Sequence, residues 1–460
     1  MIIITNREMK KVLLSLALIL LPLAGKAQFE VFDDVLYYLD DYTLTARVEG
    51  SDNKDISGNV NIPETIRYNG HFYSVTSIAS YAFRECTKIT GINIPNSVTS
   101  IGGEAFSGCT GLTSIIIPVS VKDIGYYAFS GCSNLNSIEV AEGNPVFDSR
   151  ENCNAIIQTA SNTLILGCQN STIPSSVTTI GGYAFGHCTG LTSITIPNGV
   201  TNIEPSAFQG CSNLSSVIIG EYVESIGKSA FEYCSSLTSV IIPNNVKTIG
   251  EYAFRECSSL SSVIVGDGVK NIERLTFLLC TNLSSVTIGN NVESIKFGAF
   301  MRCTSLSSVN IPNSVITIGQ EAFEECSNLF SVIIGNSVTS IEEQAFRLCS
   351  SLTNVYSYAE QVPQCHWSSF SGSNYKHVTL HVPAASLEAY SNSEQWKNNF
   401  GSIVALTDDD PRPTRIKGVN YDVMTTERYY SIEGKQIAMP QRGLNIIHMS
   451  DGTIKKVVVK

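Results

Sequence analysis

The segment Cys234-Ser-Ser-Leu237-Thr-Ser-Val240-Ile-Ile242-Pro243-Asn-Asn-Val246-Lys-Thr-Ile249-Gly250-Glu-Tyr-Ala253-Phe254-Arg-Glu-Cys257 decides how the chain folds. Its two cysteines lie 23 residues apart. The same interval separates Cys86, Cys109 and Cys132, and every member of the series Cys188, Cys211, Cys234, Cys257, Cys280, Cys303, Cys326 and Cys349. Between Cys132 and Cys188 the gap is 56, one unit of 23 plus one of 33 that carries an insertion. A fixed period in the twenties is the mark of a solenoid, and it replaces the two or three globular domains that 460 residues would otherwise suggest.

Within the unit, Val240 and Ile242 alternate with Ser239 and Ile241, the period-two pattern of a short strand with one face inward. Pro243 ends the strand, and Gly220, Gly266, Gly289 and Gly335 take its place in other units. From Ile249 to Cys257 the spacing predicts a short helical turn with Ala253 and Phe254 inward. The fold class expected is therefore an α/β repeat, one short parallel strand plus a short helical turn per unit, with β-rich caps and a small all-β tail. One unit cannot bury its apolar face alone, but stacked units share a core and pair their strands in parallel. The phenylalanines in phase, from Phe83, Phe106 and Phe129 through Phe185 to Phe346, predict an aromatic spine. The in-phase cysteines are expected to pack as small apolar residues, because structural zinc needs three or four ligands in one group.

The pattern L-x-x-V-x-I-[P/G]-x-x-V-x-x-I-G-x-x-A-F-x-x-C resembles the BspA-like leucine-rich repeats over roughly residues 58–406. The general leucine-rich consensus places Asn or Cys and then an aliphatic residue two positions later. Here Ser314 or Asn245 fills the first place and Val comes one position earlier, which separates this type from the mammalian-inhibitor type. The resemblance implies a surface or secreted protein, and proteins of that family are often linked to adhesion.

Around the repeats, residues 1–27 have the form of a secretory signal. Lys10 and Lys11 precede an apolar run from Val12 to Leu23, and Gly25-Lys26-Ala27 offers a cleavage site before Gln28. Met9 makes a tidier initiator than Met1, and no cysteine lies near the cleavage point to carry a lipid. Residues 28–74 are expected to form an N-terminal cap, in which Asn59-Val-Asn-Ile-Pro63 already mimics a repeat strand. The repeats run over 75–349, with a hairpin insertion at about 141–170 projecting from the solenoid. In that hairpin Gln158 faces Thr163, and the same register would oppose Cys153 and Cys168, as a disulfide or as two half-buried thiols. Residues 350–406, with Tyr356, Trp367, Phe370, Tyr390, Trp396 and Phe400, are expected to form the C-terminal cap.

Thr407-Asp-Asp-Asp-Pro-Arg-Pro413 is expected to be a solvated spacer, since Asp408 to Asp410 supply too few oxygens for calcium. Residues 414–460 predict a β tail from Tyr429-Tyr-Ser-Ile-Glu-Gly-Lys435, Arg442-Gly-Leu-Asn-Ile-Ile-His448 and a strand from Lys455 to Lys460. This tail resembles the type IX secretion C-terminal sorting domain of Bacteroidota, although it is short for that family.

The charge balance excludes several partners. The chain carries −11 overall, and residues 1–27 carry +3, leaving about −14 for the remainder. Nucleic acid and anionic membrane both call for clustered Lys and Arg, so neither is expected, and no second apolar run is long enough to span a bilayer. No motif carries chemistry: Cys365-His366 lacks a third partner, and His377 and His381 lie too far apart on a strand to share a metal. No catalytic residue, metal or cofactor is expected. The reading that remains is an exported monomer, at the cell surface or beyond it, that binds an extracellular protein or glycan; the alternative is an architectural spacer.

Two departures from the repeat mark candidate contact residues. Outward strand positions are mostly flanked by Ser or Thr, yet Ile218, Ile241 and Ile264 occupy three consecutive ones, with Ile116 and Ile333 further off. On the turn edge, Leu275, Leu278, Leu279, Phe297 and Met301 crowd two adjacent units, and Thr276 stands where Ala is usual. Contiguous apolar surface is uncommon without a partner. The competing explanations are β-propensity for the isoleucines and lateral core packing for the edge group.

Overall fold

A repeat folds into a long strand, a tight turn, a two-residue strand and a run of further turns. In the computed structural model the described residues are 27–51, 54–373 and 375–413, together with the backbone of four strands in the tail. They form a leucine-rich-repeat solenoid of about 14 turns with mostly parallel strands. The signal segment lies outside the described residues. Two compact units divide the chain, residues 1–129 with 140–145, and residues 130–139 with 146–460.

In the first unit an antiparallel set of strands, Ala27–Phe32, Val35–Asp40 and Thr45–Gly50, leads into strand His71–Ile78. Val35–Asp40 alternates buried and half-buried residues, as a one-sided sheet requires. The boundary expected after residue 74 falls inside a strand, because Ser77 and Ile78 pair in parallel with Ser100 and Ile101 of the next repeat. Gly58–Asn61 pairs in parallel with Ile89–Asn93, so the resemblance of residues 59–63 to a repeat strand is structural.

In the second unit Ser239–Ile242 pairs in register with Ser262–Val265, Val240 opposite Val263 and Ile241 opposite Ile264. The short strands also pair in parallel from repeat to repeat, Thr248 and Ile249 sitting opposite Ser225 and Ile226, in two successive sheets. Val240, Ile242, Val246, Ile249, Ala253, Phe254, Cys257 and Leu260 are all buried, and their equivalents in neighbouring repeats make one continuous core. The aromatic spine is present. From Phe185 to Phe346 successive rings lie 4.9–5.4 Å apart and within 10° of parallel, an offset stack imposed by the repeat spacing. It extends one ring further than the 23-residue period indicates, to Phe370.

The segment expected to be a helical turn is not a helix. Tyr252, Phe254 and Glu256 donate their amides to Arg274, Thr276 and Leu278 of the next repeat, while Ala253, Arg255 and Cys257 donate three residues back within their own. An α-helix needs every amide for its own i−4 carbonyl, so sharing alternate amides between repeats excludes it. Tyr252 and Glu256 hold left-handed φ values of 61° and 58°, and the equivalent positions recur left-handed along the stack, five of them as glycine (Gly108, Gly131, Gly210, Gly298 and Gly372).

The cysteines do more than fill space. Cys257 Sγ donates to the Phe231 carbonyl of the preceding repeat at 3.2 Å, and the same bond recurs from Cys109, Cys211, Cys234, Cys280, Cys303, Cys326 and Cys349. Where the period ends, Ser373 stands in the same place and its hydroxyl donates to the Phe346 carbonyl at 3.2 Å. The position therefore selects a small, buried donor, and thiol and hydroxyl both serve.

The insertion does not project. Its strand Thr163–Leu166 takes the place of a repeat's short strand, pairing in parallel with Thr179–Ile180, and Ile156, Ile157 and Leu164 are fully buried. Gly167 lets the Phe185 ring lie against the hairpin, since a Cβ there would meet the ring at 2.2 Å. Gln158 does face Thr163, but a bulge between Ile156 and Ile157 shifts the register before it reaches the cysteines. Cys153 and Cys168 are free, buried thiols: Cys153 turns to the Ala155 carbonyl, and Cys168 lies against Asn154 and Ser171.

At the C-terminal end Asn354–Ser357, Thr379–Val382 and Ser402–Ala405 extend the long-strand sheet. Trp396, Tyr390 and Phe400 close the core, with Trp396 Nε1 donating to the Pro363 carbonyl at 2.9 Å. Trp367, expected in that cluster, is instead 73 % exposed. In the tail, strands Arg428–Tyr430, Gln436–Ile437, Gly443–His448 and Ile454–Val459 form an antiparallel sheet.

Burial holds the thiols neutral, with Cys109 and Cys326 pushed up to about 12 and Cys211 and Cys234 well above their ordinary value. A raised folded pKa means the contribution is complete below the unfolded thiol value, about 8.5, and is lost as pH climbs through the folded values. Thermal melts should therefore fall progressively above pH ~9. A Cys211→Ser, Cys234→Ser, Cys257→Ser variant, which keeps a donor but cannot ionise there, should lose less over the same range.

Candidate binding surface

Two faces carry the residues singled out in the sequence, and they are not the same face. On the outer side of the long-strand sheet, Ile241 and Ile264 are directly opposed, and Ile218 lies in the adjoining repeat, itself opposite Thr195. Ile218 is 47 % exposed, and Ile241 and Ile264 are half-buried. Ile333 sits between Asn310 and Tyr356, and Ile116 belongs to the other compact unit. Beside the isoleucines runs a hydroxyl ladder. Ser215 donates to the Thr192 carbonyl at 3.0 Å, Thr238 to Ser215 at 3.2 Å, Ser261 to Thr238 at 2.9 Å and Ser284 to Ser261 at 3.1 Å. Their protons are engaged by backbone carbonyls, which leaves oxygen lone pairs as the polar feature of the surface.

The same column has members that the isoleucine pattern does not reveal. Beyond Ile333 it continues through Tyr356, His381 and Val404, with the Tyr356 and His381 rings stacked at 4.4 Å. Phe330, 49 % exposed, stands in the hydroxyl ladder between Ser307 and Thr353. Its signal was present in the sequence as a lone aromatic at a Ser/Thr position.

The second face is the turn edge. Leu278, Leu279, Phe297 and Met301 are half-buried there, and the Arg274 guanidinium lies over the Phe297 ring at 4.9 Å. Leu275 belongs to the packing instead: it is buried, and its side chain covers Gly298. Thr276 is buried in the Ala position, its hydroxyl donating to the Glu273 carbonyl at 2.7 Å. Ion pairs flank the apolar group, Glu232 with Arg255 at 3.0 Å on one side and Glu324 with Arg347 on the other.

The groups weighed for chemistry are placed for structure. Cys365 lies opposite Ile341 as a core residue, and burial pushes its thiol up to about 12, the reverse of nucleophile activation. His366 Nδ1 pairs with the Ser368 hydroxyl at 2.8 Å. His377 ends a short 3-10 turn and His381 lies on a strand. Among the described residues no three His, Cys, Asp or Glu side chains are grouped to hold a metal, and no helix is long and apolar enough to cross a membrane.

The linker departs from a solvated spacer. The Asp410 carboxylate lies 3.6 Å from His381 Nδ1 and accepts the Thr407 amide at 2.7 Å, while the Tyr358 hydroxyl donates to the Pro411 carbonyl at 3.0 Å. The short acidic segment satisfies the Tyr358 hydroxyl, and its Asp410 carboxylate lies beside the His381 imidazole without hydrogen bonding to it.

Parallel strands stacked at this period, with leucine at the head of each unit, define a leucine-rich-repeat protein. A family model described as the BspA type leucine rich repeat region (6 copies) matches residues 65–163, 165–284 and 270–397, and the chain belongs to that family. The pneumococcal vaccine antigen PcpA is 16% identical, with TM-score 0.52, 84% of this chain and 100% of that one covered. A leucine-rich repeat protein from Bacteroides ovatus is 26% identical, with TM-score 0.48 and coverage of 82% and 100%. A leucine rich cell surface protein from Faecalibacterium prausnitzii is 20% identical, with TM-score 0.34 and coverage of 76% and 99%. Among curated proteins, none matches the sequence.

Replacing Asp410 by Ala should release the linker from the sheet. Hydrogen exchange at the Thr407 amide is expected to quicken roughly tenfold, with the solenoid amides unchanged.

Proposed function

We propose that this chain is an exported binding protein of the cell surface, and that the outer face of its long-strand sheet captures an extracellular protein or glycan. The observation that carries the reading is the line Ile218, Ile241, Ile264: apolar side chains left partly open within a neutral field of hydroxyls. Family membership supports a surface location, since a structurally similar protein is described as a leucine rich cell surface protein. An extended sheet of this kind offers many shallow contacts rather than one deep cleft, which suits recognition of a large partner. A purely architectural role would require no such departure from Ser and Thr on the open face.

Substituting Ser for Ile218, Ile241 and Ile264 together should preserve the fold, because neighbouring units carry Thr there, as at Thr195 and Thr287. Binding to a panel of purified matrix proteins and immobilised glycans, measured by surface plasmon resonance, should weaken about tenfold or more, near 1.4 kcal/mol. Equal binding by the folded triple variant rules the face out.

The β tail is the export element in this reading. Removing residues Thr414 to Lys460 should leave a folded solenoid held in the periplasm, as cell fractionation would read. Undiminished surface display of the truncated chain would end the sorting role.

A further inference from the structure

We infer that His381 and Asp410 form a proton-operated latch, which closes residues 407–411 onto the end of the long-strand sheet as the pH falls below neutrality. This goes beyond the proposed function and holds whether or not the isoleucine line is a binding face.

The hydrogen bonds around the imidazole fix where its proton sits. Thr353 donates its hydroxyl proton to the Phe330 carbonyl at 3.0 Å, so its oxygen accepts from Asn354 Nδ2 at 3.1 Å. That turns the Asn354 carbonyl oxygen toward His381 Nε2, 3.3 Å away. An amide oxygen only accepts, so Nε2 carries the hydrogen of the neutral ring and Nδ1 keeps a bare lone pair. Nδ1 is buried, has no hydrogen-bond partner and faces Asp410 Oδ2 at 3.6 Å. Two acceptors thus confront each other with no proton between them. The two side chains are only 16 % and 12 % exposed, so little water reaches the gap to relieve it.

A proton on Nδ1 reverses the sign of the contact. The ring becomes a cation beside an anion, and a small closure of the gap makes a charge-assisted hydrogen bond. Both partners are already held for it. The Thr407 amide donates to Asp410 Oδ2 at 2.7 Å, and the Asp410 amide donates back to the Thr407 carbonyl at 3.3 Å. The imidazole is stacked on the Tyr356 ring at 4.4 Å.

The neighbouring elements leave this pair to act alone. Strand Ser402–Ala405, on one flank of His381, carries no titratable side chain, and strand Asn354–Ser357, on the other, brings only Tyr356. Residues 407–413 bring Asp408, Asp409 and Arg412 besides Asp410, and Arg412 is turned to Asp408 at 3.3 Å. Tyr358, whose hydroxyl donates to the Pro411 carbonyl at 3.0 Å, stays protonated throughout, because burial and the Asp410 carboxylate push it up.

Proton binding and closure therefore reinforce each other: the latch is shut in mild acid and opens as the pH rises. The Tyr358 contact does not titrate in that window, so it tethers the segment while the latch is open. In acid the Tyr356 and His381 end of the outer face is covered by the chain's own acidic segment, and near neutrality it becomes accessible.

Hydrogen exchange of the full-length chain, read at the Thr407 and Asp410 amides and corrected for the intrinsic pH dependence of exchange, tests this. Protection should rise roughly tenfold from about pH 7.5 to about pH 5.5, the window in which an imidazole takes up its proton. The Gly401 amide, bonded to the Val378 carbonyl, should not change. Asp410→Asn keeps an acceptor for the Thr407 amide and His381→Gln keeps a donor for Asn354, yet each should abolish the rise. Tyr358→Phe should lower protection at both pH values and leave the rise intact. Wild-type protection that does not change with pH overturns the inference. So does a rise that survives either Asp410→Asn or His381→Gln.

Discussion

Alternate amides on the turn side of each unit bond one repeat onward, and nearly every other regularity of the molecule depends on that. The pattern Tyr252, Phe254, Glu256 outward and Ala253, Arg255, Cys257 inward to their own turn requires left-handed backbone at two places per unit. It also gives the phenylalanine carbonyl two donors, the local cysteine amide and the cysteine thiol of the next unit. Spacing of 23 residues is the length at which the long strand, the short strand and this ribbon all meet their neighbours in register together. Left-handed conformation is unfavourable for residues with a Cβ by about 1–2 kcal/mol. It persists at Tyr, Glu and Leu here because both flanking repeats hold the peptide groups in place.

Much of this was legible in the cysteine spacing and the two-residue alternation of the strands: the solenoid, the parallel pairing, the ring stack and the residues lining the core. The ribbon was not. Ile249, Ala253, Phe254 and Cys257 recur at intervals that serve a helix and a chain of turns equally well, and only the destination of the amides separates them. The insertion misled for a related reason. Alternation identifies a hairpin but not whether its apolar face has a core to enter, and the bulge at Ile156 that displaces Cys153 leaves no compositional trace. The acidic linker carries the composition of a solvated segment, and its contact with His381 arises only because the sheet places that imidazole at its end.

The candidate contact residues show the same division. Outward strand positions follow from period two, so the isoleucines stand where the pattern put them. On the turn edge, sequence position does not give depth: at a left-handed residue the side chain leans along the stack, which is how Leu275 comes to cover Gly298 while Leu278 stays partly open. The two faces differ in electrical character as well. The strand face is uncharged and its hydroxyl protons are occupied, so a partner held there would respond little to salt. The turn edge is a lattice of ion pairs around an apolar centre, and ionic strength screens what happens on it.

The hydroxyl bonds along the stack have an evolutionary corollary. Ser235 donates to the Ser212 carbonyl and Ser258 to that of Ser235, each across one unit. Excise residues 235–257 and Ser258 arrives where Ser235 stood, facing Ser212 with the same partner chemistry, the same ring stack and the same thiol donor. A junction of that kind contains nothing new for the fold to accommodate. Copy number in such a gene can therefore drift by whole units through unequal recombination, lengthening or shortening the protein like links in a chain, while one or two extra residues must be taken up in a turn, as they are between Phe346 and Phe370.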